Sequence, residues 1–138
     1  MDVLISITGT QVVDGERDTI ELTTTGGMDP AEDGWRLTYE ESAATGMEGV
    51  TTSILVRPDE VLLERTGNMN SLLVLQKGRR HQCSYETPYG ALMLGVYTKE
   101  LSSTLSRSGG DLRFAYTLDM NAGVASVHDV HISVKEVQ

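Results

Sequence analysis

The sequence predicts an all-β protein, a single antiparallel up-and-down barrel of about eight to ten strands. Three observations predict it. The dominant apolar period is two rather than 3.6, the spacing of a strand with one buried face. Turn signals interrupt the apolar runs at short, regular intervals along all 138 residues. No segment shows convincing helical patterning. A closed barrel is favoured over an open sheet because closure removes the edges that many amphipathic strands would otherwise expose.

Each run can be justified in order. Val3, Ile5 and Ile7 alternate with Leu4, Ser6 and Thr8, and Asp14-Gly15 turns the chain. Ile20 and Leu22 alternate with Glu21 and Thr23, and Gly26-Gly27 is read as the next turn. Trp35, Leu37 and Tyr39 alternate with Arg36, Thr38 and Glu40, and the segment Gly46 to Gly49 returns the chain as a hairpin. Ile54 and Val56 lie on the apolar face of the following strand, which Pro58-Asp59 ends. Val61, Leu63 and Arg65 share a face before Gly67-Asn68. A run to Gly78 follows, then one in which His81, Cys83 and Tyr85 share a side, closed by Pro88. Residues 99–108, KELSSTLSRS, are the best helix candidate, but four serines and a threonine make a poor helix. They read as the end of a long strand and a loop before Gly109-Gly110. Leu112, Phe114, Tyr116, Leu118 and Met120 then point one way, and Arg113, Ala115, Thr117 and Asp119 the other. After Asn121 to Gly123, Val130, Ile132 and Val134 alternate with His131, Ser133 and Lys135. Each turn supplies a positive φ, a fixed φ or a short polar side chain that caps its own backbone. There is no linker, second domain or fixed-period repeat, so residues 1–138 form one domain.

Composition narrows the function classes. Hydrophobic residues make up 39% and charged residues 22%, as in a globular domain rather than a disordered chain. The net charge of −9 argues against nucleic acid as a partner, because phosphates are neutralised by Lys and Arg. It argues equally against an anionic membrane surface. The single cysteine, Cys83, allows neither an internal disulfide nor a cysteine zinc site. The opening MDVLISITG has an acid at Asp2, no basic region and a short apolar run, unlike a signal peptide. No stretch approaches the roughly 20 apolar residues of a membrane helix. The expected location is the cytoplasm.

YEESAATGMEGVTTSI (39–54), ETPYGAL (86–92) and GGDLRFAYTLD (109–119), in this order, resemble the YwiB-like family of small bacterial proteins. ITGTQ (7–11) and DTIELTTTG (18–26) fit the same pattern, so the resemblance spans nearly the whole chain. It implies a lipocalin-like (calycin) barrel. It also implies that no activity is established, so no catalytic residue carries over.

The candidate chemistry follows from strand faces. Glu40 and Glu41 point to opposite faces and cannot share one proton or one ion. Glu41 lies with Leu37 and Tyr39, and Arg65 with Val61 and Leu63. If those faces are inward, Glu41 and Arg65 both enter the barrel, where each charge needs a partner. They are expected to pair or to share one polar network. Such a network either anchors a ligand or holds strand register.

Five tyrosines, Tyr39, Tyr85, Tyr89, Tyr97 and Tyr116, fall in strands, and buried phenols need partners for their hydroxyls. Converging, they would line a polar-tipped apolar cavity or plug it. The run 29–40 places Asp29, Asp33, Gly34 and Glu40 as in an EF-hand loop, but Ala31 occupies a ligand position and no helices flank it. An acidic hairpin is the better account. His128 and His131 lie three residues apart, on opposite faces of a strand, and cannot chelate one ion together. Both are read as exposed. Cys83 is read as a small buried hydrophobe, and KGRR (77–80) as a solvated basic turn.

The expectation is therefore a non-enzymatic protein that binds a small apolar or amphipathic molecule in its barrel, lined by Glu41, Arg65, Tyr39, Tyr85 and Tyr116. No metal, cofactor or catalytic residue is assigned. The alternative is a filled barrel acting as a structural or interaction module, as a homodimer. An enzyme built on Glu41 is the third reading.

Overall fold

The computed structural model describes residues 1–43, 46–87, 90–120 and 123–137. Ten strands follow one another: β1 (Asp2–Val13), β2 (Glu16–Ala31), β3 (Gly34–Glu40), β4 (Val50–Val56), β5 (Val61–Gly67), β6 (Ser71–Leu75), β7 (Arg80–Thr87), β8 (Gly90–Ser103), β9 (Gly109–Met120) and β10 (Gly123–Glu136). Each pairs antiparallel with its neighbour in sequence, and β1 pairs with β10 to close the barrel. The expected up-and-down order and the absence of helix hold for the described residues. Residues 99–108 divide as expected, between the end of β8 and a loop.

One turn assignment differs from the sequence reading. Gly26-Gly27 is not a turn but lies inside β2. There β2 changes partners: residues 16–27 pair with β1, and residues 27–31 pair with β3. A Cβ on Gly26 would collide with the Thr38 carbonyl oxygen and crowd Ile5. Glycine serves here for close approach at a corner rather than for a tight turn. The turn itself falls at Glu32-Asp33, where Asp33 takes a φ of 62°, a conformation that a short polar side chain tolerates. The EF-hand-like residues are accordingly spread along a hairpin. Asp29 meets the N-terminal amine at 3.1 Å, and Glu40 accepts a hydrogen bond from Thr51 at 2.9 Å.

The inward residues form layers. Val56, Val61 and Leu75 lie in register on β4, β5 and β6. With Val3, Met28 and Val134 they belong to the dry core. One layer up, Leu37, Ile54, Leu63 and Leu73 are in register on β3 to β6 and are again buried. Outward positions mix charged residues such as Arg36, Glu64, Arg113 and Lys135 with exposed apolar ones such as Leu72, Met93 and Tyr97. The KGRR turn is balanced by the barrel's own acids. Lys77 lies 3.7 Å from Glu100, and Arg80 makes bonds of 2.6 and 3.1 Å to the two carboxylate oxygens of Asp119.

Candidate functional site

Above the apolar layers the inner wall turns polar. Tyr39, Thr52, Arg65, Ser71 and Tyr85 stand in register on five consecutive strands, β3 to β7. Period two carries each of them inward, because each continues a face already begun by buried aliphatics. Across the lumen, Tyr116, His128, Gln11 and Asp18 stand in register on β9, β10, β1 and β2. Tyr39, Arg65 and Tyr85 from the first arc and Tyr116, His128, Gln11 and Asp18 from the second border a cavity of ≈ 350 Å³, whose apolar wall includes Ile54, Leu63, Leu73, Phe114 and Ile132.

All five residues predicted as lining, Glu41, Arg65, Tyr39, Tyr85 and Tyr116, border this cavity. Glu41 extends the β3 face one step past the strand. Its amide bonds the Val50 carbonyl at 2.8 Å, so the hairpin keeps its alternation there. Thr52 donates to a Glu41 carboxylate oxygen at 2.8 Å, and the Tyr39 hydroxyl lies in the field of Glu41 and Arg65. Burial raises the Tyr39 hydroxyl's pKa far above the ordinary phenol value, and the Glu41 charge raises it further, while Arg65 opposes both. Glu41 and Arg65 therefore share one electrostatic network, centred on Tyr39.

Arg65 is half-buried and its Nε is enclosed with no hydrogen-bond partner. None of the ion pairs among the described residues includes it. Its charge reaches across the lumen. The Tyr116 hydroxyl is pushed up by burial, an effect that Arg65 counters and Tyr85 reinforces. Ser71, the cross-strand partner of Arg65, is 7% exposed, and its hydroxyl is likewise unpartnered.

His128 departs from the expectation of two exposed histidines. It borders the cavity, stacked on Tyr116 with ring centroids 4.7 Å apart and planes 7° from parallel. Its Nε2 lies 2.7 Å from the Ser126 hydroxyl. Burial, and secondarily the Arg65 charge, depress its pKa below 6.5. His131 points outward, beside Asp111 at 3.0 Å. The parity signal was present, since 128 shares its face with Val130 and Ile132. Gln11 and Asp18 could have been found in the same way, from the faces of Ile7 and Ile20. Met47, in the β3–β4 loop, also reaches the cavity and carries no periodic signal.

Tyr97 lies on the outer wall, 40% exposed, and Tyr89 lies outside the described residues. Cys83 is buried and free, and its sulfur accepts the Val74 amide at 3.4 Å. Among the described residues, no group of three His, Cys, Asp or Glu side chains could hold a metal ion.

Residues 5–132 match the model of a family described as Domain of unknown function (DUF1934). The uncharacterized β-barrel protein YwiB of Bacillus subtilis (strain 168) is 30% identical over 115 residues, which cover 83% of this chain and 78% of that protein. The crystal structure of the ywiB protein from Bacillus subtilis superposes with a TM-score of 0.86 at 24% identity, covering 99% of this chain and 92% of the other.

Proposed function

The chain belongs to this β-barrel family of unknown function, and from that premise we propose that it is a non-enzymatic, lipocalin-like binding protein holding one small amphipathic or apolar molecule in its lumen. The observation that carries the proposal is the cavity of ≈ 350 Å³. Its volume falls at the small end of the usual range for small-molecule pockets, and its apolar wall with a few grouped polar side chains is the usual composition of such sites. A barrel packed solid would instead favour the interaction-module reading.

The mouth lies beside the outer half of β2. Among the described residues, positions 16–26 of β2 pair only with β1. Ile20, which borders the cavity there, is 42% exposed. Further features support the accompanying readings. The charges among the outward residues run against a lipid-facing barrel, and the −9 net charge disfavours nucleic acid. No helix of the described residues is long and apolar enough to cross a membrane. A free, buried cysteine fits a reducing cytoplasm.

Native mass spectrometry of the purified protein tests the proposal and counts its subunits, which decides between monomer and homodimer. The expected result is a small adduct released in denaturing solvent, and its loss in Ile20→Trp, which narrows the mouth. A protein that carries no adduct and binds neither octanoate nor 1-octanol would sink the reading.

A further inference from the structure

We propose that the ligand is a monoanionic carboxylate, its headgroup held by the Arg65 guanidinium and its apolar part lying on Ile54, Leu63 and Leu73. This rests on the binding reading above and assigns the ligand's chemical class. The polar row on β3 to β7 divides into two unlike ends. At one end, Thr52 donates to Glu41, and the Glu41 charge acts on the Tyr39 hydroxyl. At the other, Arg65 Nε and Ser71 Oγ are both enclosed and both lack a partner among the described residues. Ser71 lies on the inward face of β6 with Leu73 and Leu75 but does not border the cavity, whereas Arg65 does. The two are cross-strand partners, a placement that sets Cβ atoms about 5 Å apart on one face. A guanidinium that borders the cavity, has an unmet donor and joins none of the ion pairs among the described residues is costly to the empty protein. An anion in the cavity that pairs with the Arg65 charge offsets that cost.

The chemistry of the acceptor follows. A guanidinium presents parallel N–H donors that fit the two oxygens of a carboxylate. Tyr85, in register beyond Ser71 and bordering the cavity, flanks the headgroup. A doubly charged anion is disfavoured because Glu41 shares the cavity and the chain carries −9 overall. The layer beneath the row is wholly aliphatic, which asks for an apolar body attached to the charged head.

Octanoate and 1-octanol share a chain and differ in headgroup charge, so calorimetric titration of both at pH 8 tests the assignment. Octanoate is expected to bind about tenfold or more tightly than 1-octanol, the scale of one charge-assisted hydrogen bond. Arg65→Met should remove that preference while 1-octanol affinity stays within about threefold. Arg65→Lys, which keeps the charge but loses the fork, should fall between. Equal affinities for the two probes in the wild-type protein would overturn the headgroup assignment and leave the cavity reading standing. So would an unchanged preference in a folded Arg65→Met protein. Failure of both probes to bind would sink the two readings together.

Discussion

Glu41 and Arg65 bring opposite charges into one lumen but stand differently toward their neighbours. Glu41 accepts from Thr52, and its charge acts on the Tyr39 hydroxyl. Glu41→Gln weakens this charge-assisted bond and is expected to cost about 1–3 kcal/mol of stability. Arg65→Met replaces an enclosed, unmet donor with an apolar side chain of similar length, so it should be neutral or stabilising in the empty protein. Because both charges act on Tyr39, the double mutant should depart from additivity by about 0.5 kcal/mol or more in denaturant unfolding; strict additivity would deny the shared network. His128 sets a pH dependence. Its folded pKa lies below 6.5, chiefly through burial and then through Arg65. As pH falls below 6.5, the unfolded chain takes up a proton that the folded chain refuses, so stability drops until the folded pKa is reached. His128→Asn should flatten the slope of unfolding free energy with pH in that window and leave it unchanged above pH 7.5. An unaltered slope would place the imidazole in water. The sequence assigned Glu41 and Arg65 to inward faces because both continue aliphatic alternation. It misread His128 because its weak metal motif drew the reading away from its parity.

Among the elements, the β6–β7 seam is the weak join. Among the described residues, Ser71 and Tyr85 are the one ladder pair there, whereas β1 and β10 share ten pairs. The Val74 amide bonds the Cys83 sulfur, a poorer acceptor than a carbonyl oxygen. Local opening should therefore start at this seam. In native-state hydrogen exchange, β6 amides should exchange at least about tenfold faster than those of β1 and β10. Uniform protection around the barrel would refute the ranking. Nothing in the run SLLVL announced this, because a strand's pairing depends on a partner distant in sequence. The Gly26-Gly27 assignment failed for a related reason. The dipeptide signals backbone freedom, and only the approach of Thr38 and Ile5 shows that a corner rather than a turn consumes it.

For the whole molecule, closure rests on the two ends of the chain. β1 and β10 pair along their lengths, and the Val137 amide bonds the Asp2 carbonyl at 3.1 Å. Removing β10 would bare facing edges of β1 and β9, each 12 residues long. Long unpaired edges seek other chains. A chain ending at Met120 should therefore elute as oligomers or aggregate in size-exclusion chromatography, and a stable monomer would show that the remaining strands reclose. The sequence by itself determined the all-β class, the up-and-down order, a strand number within eight to ten and the inward face of residues such as Glu41, Arg65 and Tyr116, because alternation is a local property of extended backbone. Tertiary structure alone decided which inward residues meet. Register and closure of ten strands bring Arg65 opposite Tyr116 and His128, set Ser71 beside Arg65, and leave ≈ 350 Å³ between the walls. Those relations depend on how far each strand slides past its neighbours around a closed ring, and no local pattern encodes that sum.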